Sequence, residues 1–284
     1  MTFAKKYIDV KIQLEKGDFP GGGNSLTLKG HRVEAAIEQN GSPDTGKATV
    51  SIYGLSLSVM NSLTVLPQNM TAIGQNTVTI MPYEEGSAPS IAYKGTIFQA
   101  FPDLRSQPTA AFRIDALTAL YQAVQTAKPT TAPGSSDVAT LMEQLAGMAQ
   151  LTLENNDVNC KVRNVYLPSS PRQQIKQLAD AAGINWVIEN DTLAIWPRNG
   201  SRKGNAVKIS SSTGMVGYPT YSASGIDVTT LFNSNYRYGG SVEVQSDLTP
   251  ACGTWYIVNI VHEVECEKPG GKWFTTLSCS RLQI

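Results

Sequence analysis

Gly214–Val244 reads GMVGYPTYSASGIDVTTLFNSNYRYGGSVEV. It opens on a Gly-rich loop with Gly217-Tyr218-Pro219 and continues as an alternating strand, Ile226-Asp227-Val228-Thr229. An apolar pair, Leu231-Phe232, and a polar turn lead through Gly239-Gly240 into Ser241-Val242-Glu243-Val244. Alternation with period two predicts half-buried strands, and the glycines predict turns between them. The stretch offers no recognisable nucleophile, acid pair or metal-ligand spacing. Its chemistry is backbone, aromatic and small polar. Tyr218, Tyr221, Phe232, Tyr236 and Tyr238 fall around its loops. Core packing and anchoring of a protein interface both stay open for them, and these five are the candidate interface residues.

On either side the chain has the same strand-rich style. Tyr7–Glu15 alternates, with Ile8, Val10, Ile12 and Leu14 facing one way. Strands are predicted around Arg32–Glu38, Ala48–Ile52, Thr77–Met81 and Ile91–Phe101, the last with a bulge at Gly95. Ser56–Leu66 has helical spacing and is stopped by Pro67. So many strands around one short helix predict a small barrel, because closure removes exposed edges. Ala111–Leu117 is a further strand, assigned here to the second half. Lys128–Ser136 is rich in Pro, Thr, Gly and Ser and reads as a linker. Beyond it Val138, Leu141, Met142, Leu145, Met148 and Ala149 mark an amphipathic helix. A second helix has Ser170 as N-cap, Pro171 at its first position, Gln173 completing a capping box and Gly183 as its stop. Trp186 and Ile188 face Leu193 and Ile195 across an Asn190-Asp191 turn. The last hairpin pairs Trp255–Cys266 with Lys272–Leu282, placing Tyr256, Val258, Ile260, Val264 and Cys266 on one face.

Composition narrows the function class. With 284 residues, two or three domains are expected. Charged residues are 16% and the net charge is zero, so no basic field advertises nucleic-acid binding. The start, MTFAKKYIDVKI, lacks a signal-peptide core, and no apolar run reaches a membrane span. Folding in a reducing cytoplasm is expected, with Cys160, Cys252, Cys266 and Cys279 as free thiols and a bridge between Cys266 and Cys279 on oxidation left open. Gly41–Lys47 has phosphate-loop spacing but lacks the following Ser or Thr and a helix. His262 reads as a packed core imidazole, His31 has no partner in sequence, and neither supports zinc. Glu84-Glu85 and Glu263/Glu265/Glu267 read as solvated surface rather than as a glycosidase pair.

The Gly214–Val244 stretch, with the Trp255–Leu282 hairpin, resembles the C-terminal barrel of baseplate hub proteins from contractile-tailed bacteriophages, which are related to the hub part of type VI secretion spike proteins. Ser51-Ile52-Tyr53-Gly54-Leu55 leading into Met60-Asn61-Ser62-Leu63-Thr64, and Tyr93-Lys94-Gly95-Thr96-Ile97, are similar to the first barrel of that family. The two helices and the Trp186-Val187-Ile188/Leu193-Ala194-Ile195 hairpin are similar to its insert. The resemblance implies a mainly β (α+β) fold: a tail-tube-like antiparallel β-barrel over 1–108, a discontinuous second barrel over 109–127 and 205–284, and an α/β insert over 128–204. It implies a structural, non-enzymatic hub: a homotrimer forming a pseudo-sixfold ring between the hexameric tail tube and a trimeric central spike. Other baseplate proteins would be neighbours, and DNA would pass through the channel without specific binding. No cofactor, metal or stable membrane insertion is expected. The place of action would be the virion tail, assembled in the host bacterial cytoplasm. The chain ends at Ile284, just after its last strand, so the spike is expected as a separate protein. A tail-tip peptidoglycan-processing enzyme and a tail tube subunit are the alternatives.

Overall fold

Alternation of apolar and polar residues buries one face of each strand and leaves the other to water, and this pattern runs through most of the chain. The computed structural model describes residues 4–19, 22–41, 45–65, 74–105 and 109–281. The first part contains β1 (Lys6–Gln13), β2 (Ser25–Leu28), β3 (Val33–Asn40), β4 (Lys47–Tyr53), α1 (Leu57–Leu63), β5 (Thr77–Glu84), β6 (Tyr93–Asp103) and β7 (Ala111–Leu117). After α2 (Leu120–Val124) come β8 (Thr130–Asp137), α3 (Val138–Met148), β9 (Thr152–Asn155), β10 (Lys161–Leu167), α4 (Pro171–Ala182), β11 (Ile184–Glu189) and β12 (Thr192–Pro197). The rest is β13 (Val207–Ile209), β14 (Thr220–Ser222), β15 (Gly225–Leu231), β16 (Ser241–Val244), β17 (Gly253–Cys266) and β18 (Trp273–Ser280). The fold is mainly β, as expected.

Among the described residues one sheet runs β14-β15-β18-β17-β3-β4-β7-β6-β5-β1-β2, with β16 on β17 and β13 on β16. The path is antiparallel throughout, and within this sheet only β13 and β16 pair in parallel. Among the described residues the ladders do not close into a ring. At its fork, β17 pairs with β16 over Gly253–Tyr256 and with β3 over Asn259–Cys266, while β18 runs along its other edge. The same β17–β18 hairpin therefore feeds two cores in succession. Val264, Cys266 and Trp273 join the core built by β1–β7. Trp255, Ile257, Ile260, Leu277 and Cys279 join that of β13–β16. A third core, around Met142, Leu145, Ile175, Leu178, Leu193 and Ile195, belongs to the segment between them.

Several expectations are corrected. Ala111–Leu117 does not join the second half. It lies between β4 and β6, with Phe112 opposite Ile52 and Pro102. Thr130–Asp137 is no linker but a strand paired with β10, its breakers absorbed by Gly134 at φ +75° and a bulge at Arg163/Val165. The bulge in β6 falls between Ile97 and Gln99. Gly95 is needed for another reason: a Cβ there would lie 2.4 Å from the Tyr93 hydroxyl. In β17 a bulge between Ile257 and Asn259 flips the face, so Trp255 and Ile257 are buried and Tyr256 and Val258 are not. Ser170 makes no capping hydrogen bond. The α4 entry is instead tied by buried Gln174, whose amide donates to the carbonyls of Lys128 (3.0 Å) and Ser169 (2.9 Å). Gly183 ends α4 at φ +64°, as expected. The Trp186↔Ile195 and Ile188↔Leu193 pairs form in the expected register. Cys279 sits opposite Ile257, nine positions along β17 from Cys266 and so roughly 30 Å away at ~3.3 Å per residue. A disulfide needs Cα atoms within about 7 Å, so these two do not pair in this fold.

Candidate functional site

The Gly214–Val244 stretch builds the outer end of the sheet. Val216 donates its N–H to the Thr229 carbonyl (2.8 Å) and Leu231 to that of Gly214 (2.8 Å), which extends the β14–β15 pairing past the turn at Gly217. The five aromatic candidates separate into two groups. Tyr218 and Tyr221 are 62% and 59% exposed, with Val216 and Leu231 also open to solvent. An open groove of about 590 Å³ lies beside Tyr218, lined by Ser210, Met215, Gln245 and Asp247. No charged residue occurs between Lys208 and Asp227.

The other three aromatics are committed inside the chain. Phe232 packs edge-on to His262 (5.2 Å) and Trp273 (5.5 Å). Tyr236 is buried in the core of the second half. Tyr238 is half-buried against Trp196, with ring centroids 6.1 Å apart. A Cβ on Gly41 would overlap its hydroxyl. These three meet the core-packing reading.

His262 sits where the two sheet cores meet, 1% exposed, with Nδ1 2.8 Å from the Thr275 hydroxyl. Burial pushes its pKa down to about 4, so it is neutral at pH 7. An unfolded imidazole titrates near 6.5. Between these values the unfolded chain binds a proton that the folded chain refuses, and stability falls as the pH drops through that window. Stability at pH 5 is expected to be about 2 kcal/mol below that at pH 7 from this group. Urea unfolding at both values, with His262→Gln as the variant that removes the slope, checks it.

One cluster escaped sequence reading. Arg202 is 4% exposed. It donates from Nη2 and Nε to the Glu154 carboxylate (2.8 and 3.0 Å), from Nη1 to Glu189 (2.5 Å), and to the Tyr238 carbonyl (3.4 Å). Burial alone would raise the Glu154 pKa, but its hydrogen bonds to Arg202 hold it below the ordinary value. The partners lie far apart in sequence, so no spacing advertises them.

The remaining candidates are ordinary surface. Glu263, Glu265 and Glu267 pair with Lys272, Lys268 and Lys5. Glu84 and Glu85 are exposed at the end of β5. In the Gly41–Lys47 run, residues 42–44 lie outside the described residues, and Lys47 pairs with Glu38 at 2.6 Å. His31 Nδ1 lies 3.1 Å from the Tyr53 carbonyl. Among the described residues no group of three His, Cys, Asp or Glu side chains is placed to hold a metal ion. No described helix is long and apolar enough to cross a membrane.

Comparison with known proteins adds the rest. The chain is similar in fold to a 43 kDa tail protein of prophage MuSo2 from Shewanella oneidensis (TM-score 0.63, 10% identity, 98% of each chain covered). It is also similar to a tail protein from Neisseria meningitidis MC58 (TM-score 0.65, 10% identity, 97% of this chain and 96% of that one). An Escherichia coli component of the type VI secretion system, described as structurally similar to phage T4 tail proteins gp27 and gp5, matches with a TM-score of 0.57 and 10% identity over 88% of this chain and 73% of that one. At such identities the likeness is one of fold. A comparison with curated protein sequences returns no match. The family model described as "Baseplate hub gp41" matches residues 7–279, and the chain belongs to that baseplate hub family.

Proposed function

We propose that this protein is the structural hub of a phage tail baseplate, a homotrimer whose paired sheet halves form a pseudo-sixfold ring joining the hexameric tail tube to a separate trimeric spike. Three copies of a chain with two sheet-based halves present six modules, which matches a sixfold partner on one side and a threefold partner on the other. Each half acts as a barrel. In the first, side chains bring β1 up to the β17–β18 hairpin where no ladder does: Lys5 pairs with Glu267 (2.8 Å) and Lys6 lies over the Trp273 ring. The segment between the halves is an inserted α/β domain. The protein works in the virion tail after assembly in the host cytoplasm, beside other baseplate proteins. DNA passes through its channel without specific binding, and the role is non-enzymatic.

Beyond family membership, the observation that carries this reading is the outer edge of the sheet. Natural edge strands are blunted by charge. Here the edge has exposed Val216, Tyr218 and Tyr221 and no charge from Ile209 to Ile226. Such an edge is explained by a protein that covers it. Native mass measurement tests the assembly, with a trimer as the expected result and a monomer or open-ended polymer against it. Tyr218→Asp with Tyr221→Asp is expected to weaken self-association at least a hundredfold, because two carboxylates would be buried without partners. Sedimentation at micromolar concentration reads it.

A further inference from the structure

We propose that Arg202 is a latch: the segment 130–197 folds as a unit of its own, is fastened to the second half through this guanidinium, and swings away from it with its core intact. The inference goes beyond the hub reading and rests only on the division of the chain into three units. The first observation is the independence of the core. Met142, Leu145, Ile175, Leu178, Leu193 and Ile195 pack in a cluster separate from the cores of the two halves, joined from outside the segment by Ala119 of the preceding connector.

The second observation is that the join between the segment and the rest is narrow and mostly polar: besides the contacts that follow, Arg237 pairs with Glu154 (3.6 Å) and Gln122 donates to the Ala149 carbonyl (3.3 Å). Its outward sheet face contributes a seam of Val187, Ala194 and Trp196, met by Tyr238. On the side of the first half, Lys94 pairs with Asp191 and Gln75 donates to Gln150 (3.0 Å). Polar-lined cavities of about 230 and 190 Å³ flank the seam, the first between Lys94, Thr96, Gln150 and Asp191, the second between Glu189, Arg202, Tyr236 and Arg237. A joint with unfilled volume on both sides lacks the dense packing that makes interiors rigid.

Arg202 closes this joint. Its side chain bonds Glu154 and Glu189 on the segment and the Tyr238 carbonyl on the second half. Its own N–H donates to the Gly239 carbonyl (2.9 Å). Gly239, at φ +75°, is the close-approach point: a Cβ there would stand 2.6 Å from the Trp196 ring. A buried guanidinium shared by two carboxylates is strong while all three groups are present and costly when one is removed. It therefore suits a contact that is either closed or open. Residues 118–129 and 198–206 are the two connectors on which the segment would turn.

Hydrogen exchange read by mass spectrometry on the assembled protein tests the latch. In the unaltered chain, peptides covering 198–205 and 236–240 should exchange at least tenfold faster than those of β11 and β12. In Arg202→Met that gap should widen at least another tenfold, with β11 and β12 unchanged. Gly239→Val strikes the joint from the other side without substituting any residue of the segment, and should give the same pattern. If 198–205 and 236–240 exchange at the pace of β11 and β12 in the unaltered chain, or if both variants accelerate β11 and β12 in step with the joint, the latch is refuted. The trimer's mass, measured on the same samples, reports separately on the hub reading.

Discussion

Phe112→Ala should destabilise the protein by roughly 3–5 kcal/mol, the usual cost of removing a buried ring and leaving a cavity. Phe112 is fully buried and sits on β7 with β4 on one side and β6 on the other. Its neighbours are strands held by ladders on both edges, so they cannot collapse into the space. Thermal unfolding should shift by about 10 °C, taking 2–4 °C per kcal/mol for a chain of this size class. The loss should appear as faster hydrogen exchange in β1–β7, with the core of segment 130–197 unaffected. A change below about 1 kcal/mol, or one felt mainly in β13–β16, would place β7 with the other half after all.

Gly225→Ala is expected to be comparably severe, although it adds a single methyl group. Gly225 has φ +149°, and a Cβ there would lie 2.2 Å from the Cys279 carbonyl oxygen and 3.2 Å from Ser280 Cα. Those are backbone atoms of β18, so relief requires parting β15 from β18 where Ile226 faces Cys279. Overpacking against fixed backbone, added to strain at positive φ, should cost on the order of 3 kcal/mol or more. Gly217→Ala is the matched control. At φ +70° with nothing within 4 Å, it bears only the backbone penalty of about 1–2 kcal/mol. Limited proteolysis should cut the Gly225→Ala variant near 220–226 and spare the control. Equal behaviour of the two variants would remove the steric argument.

What could be read from the sequence follows the range of the interactions involved. The Trp186/Ile195 and Ile188/Leu193 pairs and the Gly183 stop are local, and periodicity with turn chemistry revealed them. The alternation of 111–117 identified a strand but not its neighbours, because period two says nothing about which edge a strand joins. The run Lys128–Ser136 looks like a linker because propensity is a weak prior: Pro133 and Gly134 look like breakers, yet Gly134 donates its N–H to the Asn164 side chain (3.0 Å) and the ladder continues. One extra residue at Val258 inverted the inferred face of half a strand. Of the five loop aromatics, sequence could not separate Tyr218 and Tyr221, which point to solvent, from Phe232, Tyr236 and Tyr238, whose partners lie elsewhere in the chain. Arg202 meets Glu154, Glu189 and Tyr238, a meeting decided only by the tertiary fold.

The forked strand β17 also bears on how load crosses the molecule. Its 14 residues extend roughly 46 Å at ~3.3 Å per residue, gripped by β16 at one end, β3 at the other and β18 alongside. A pull along its axis meets these ladders in shear, with many backbone hydrogen bonds strained together rather than unzipped one by one. Force entering one half therefore reaches the other through covalent chain and a shared ladder, with no soft joint between them. Along its own axis that arrangement behaves as a tie rod.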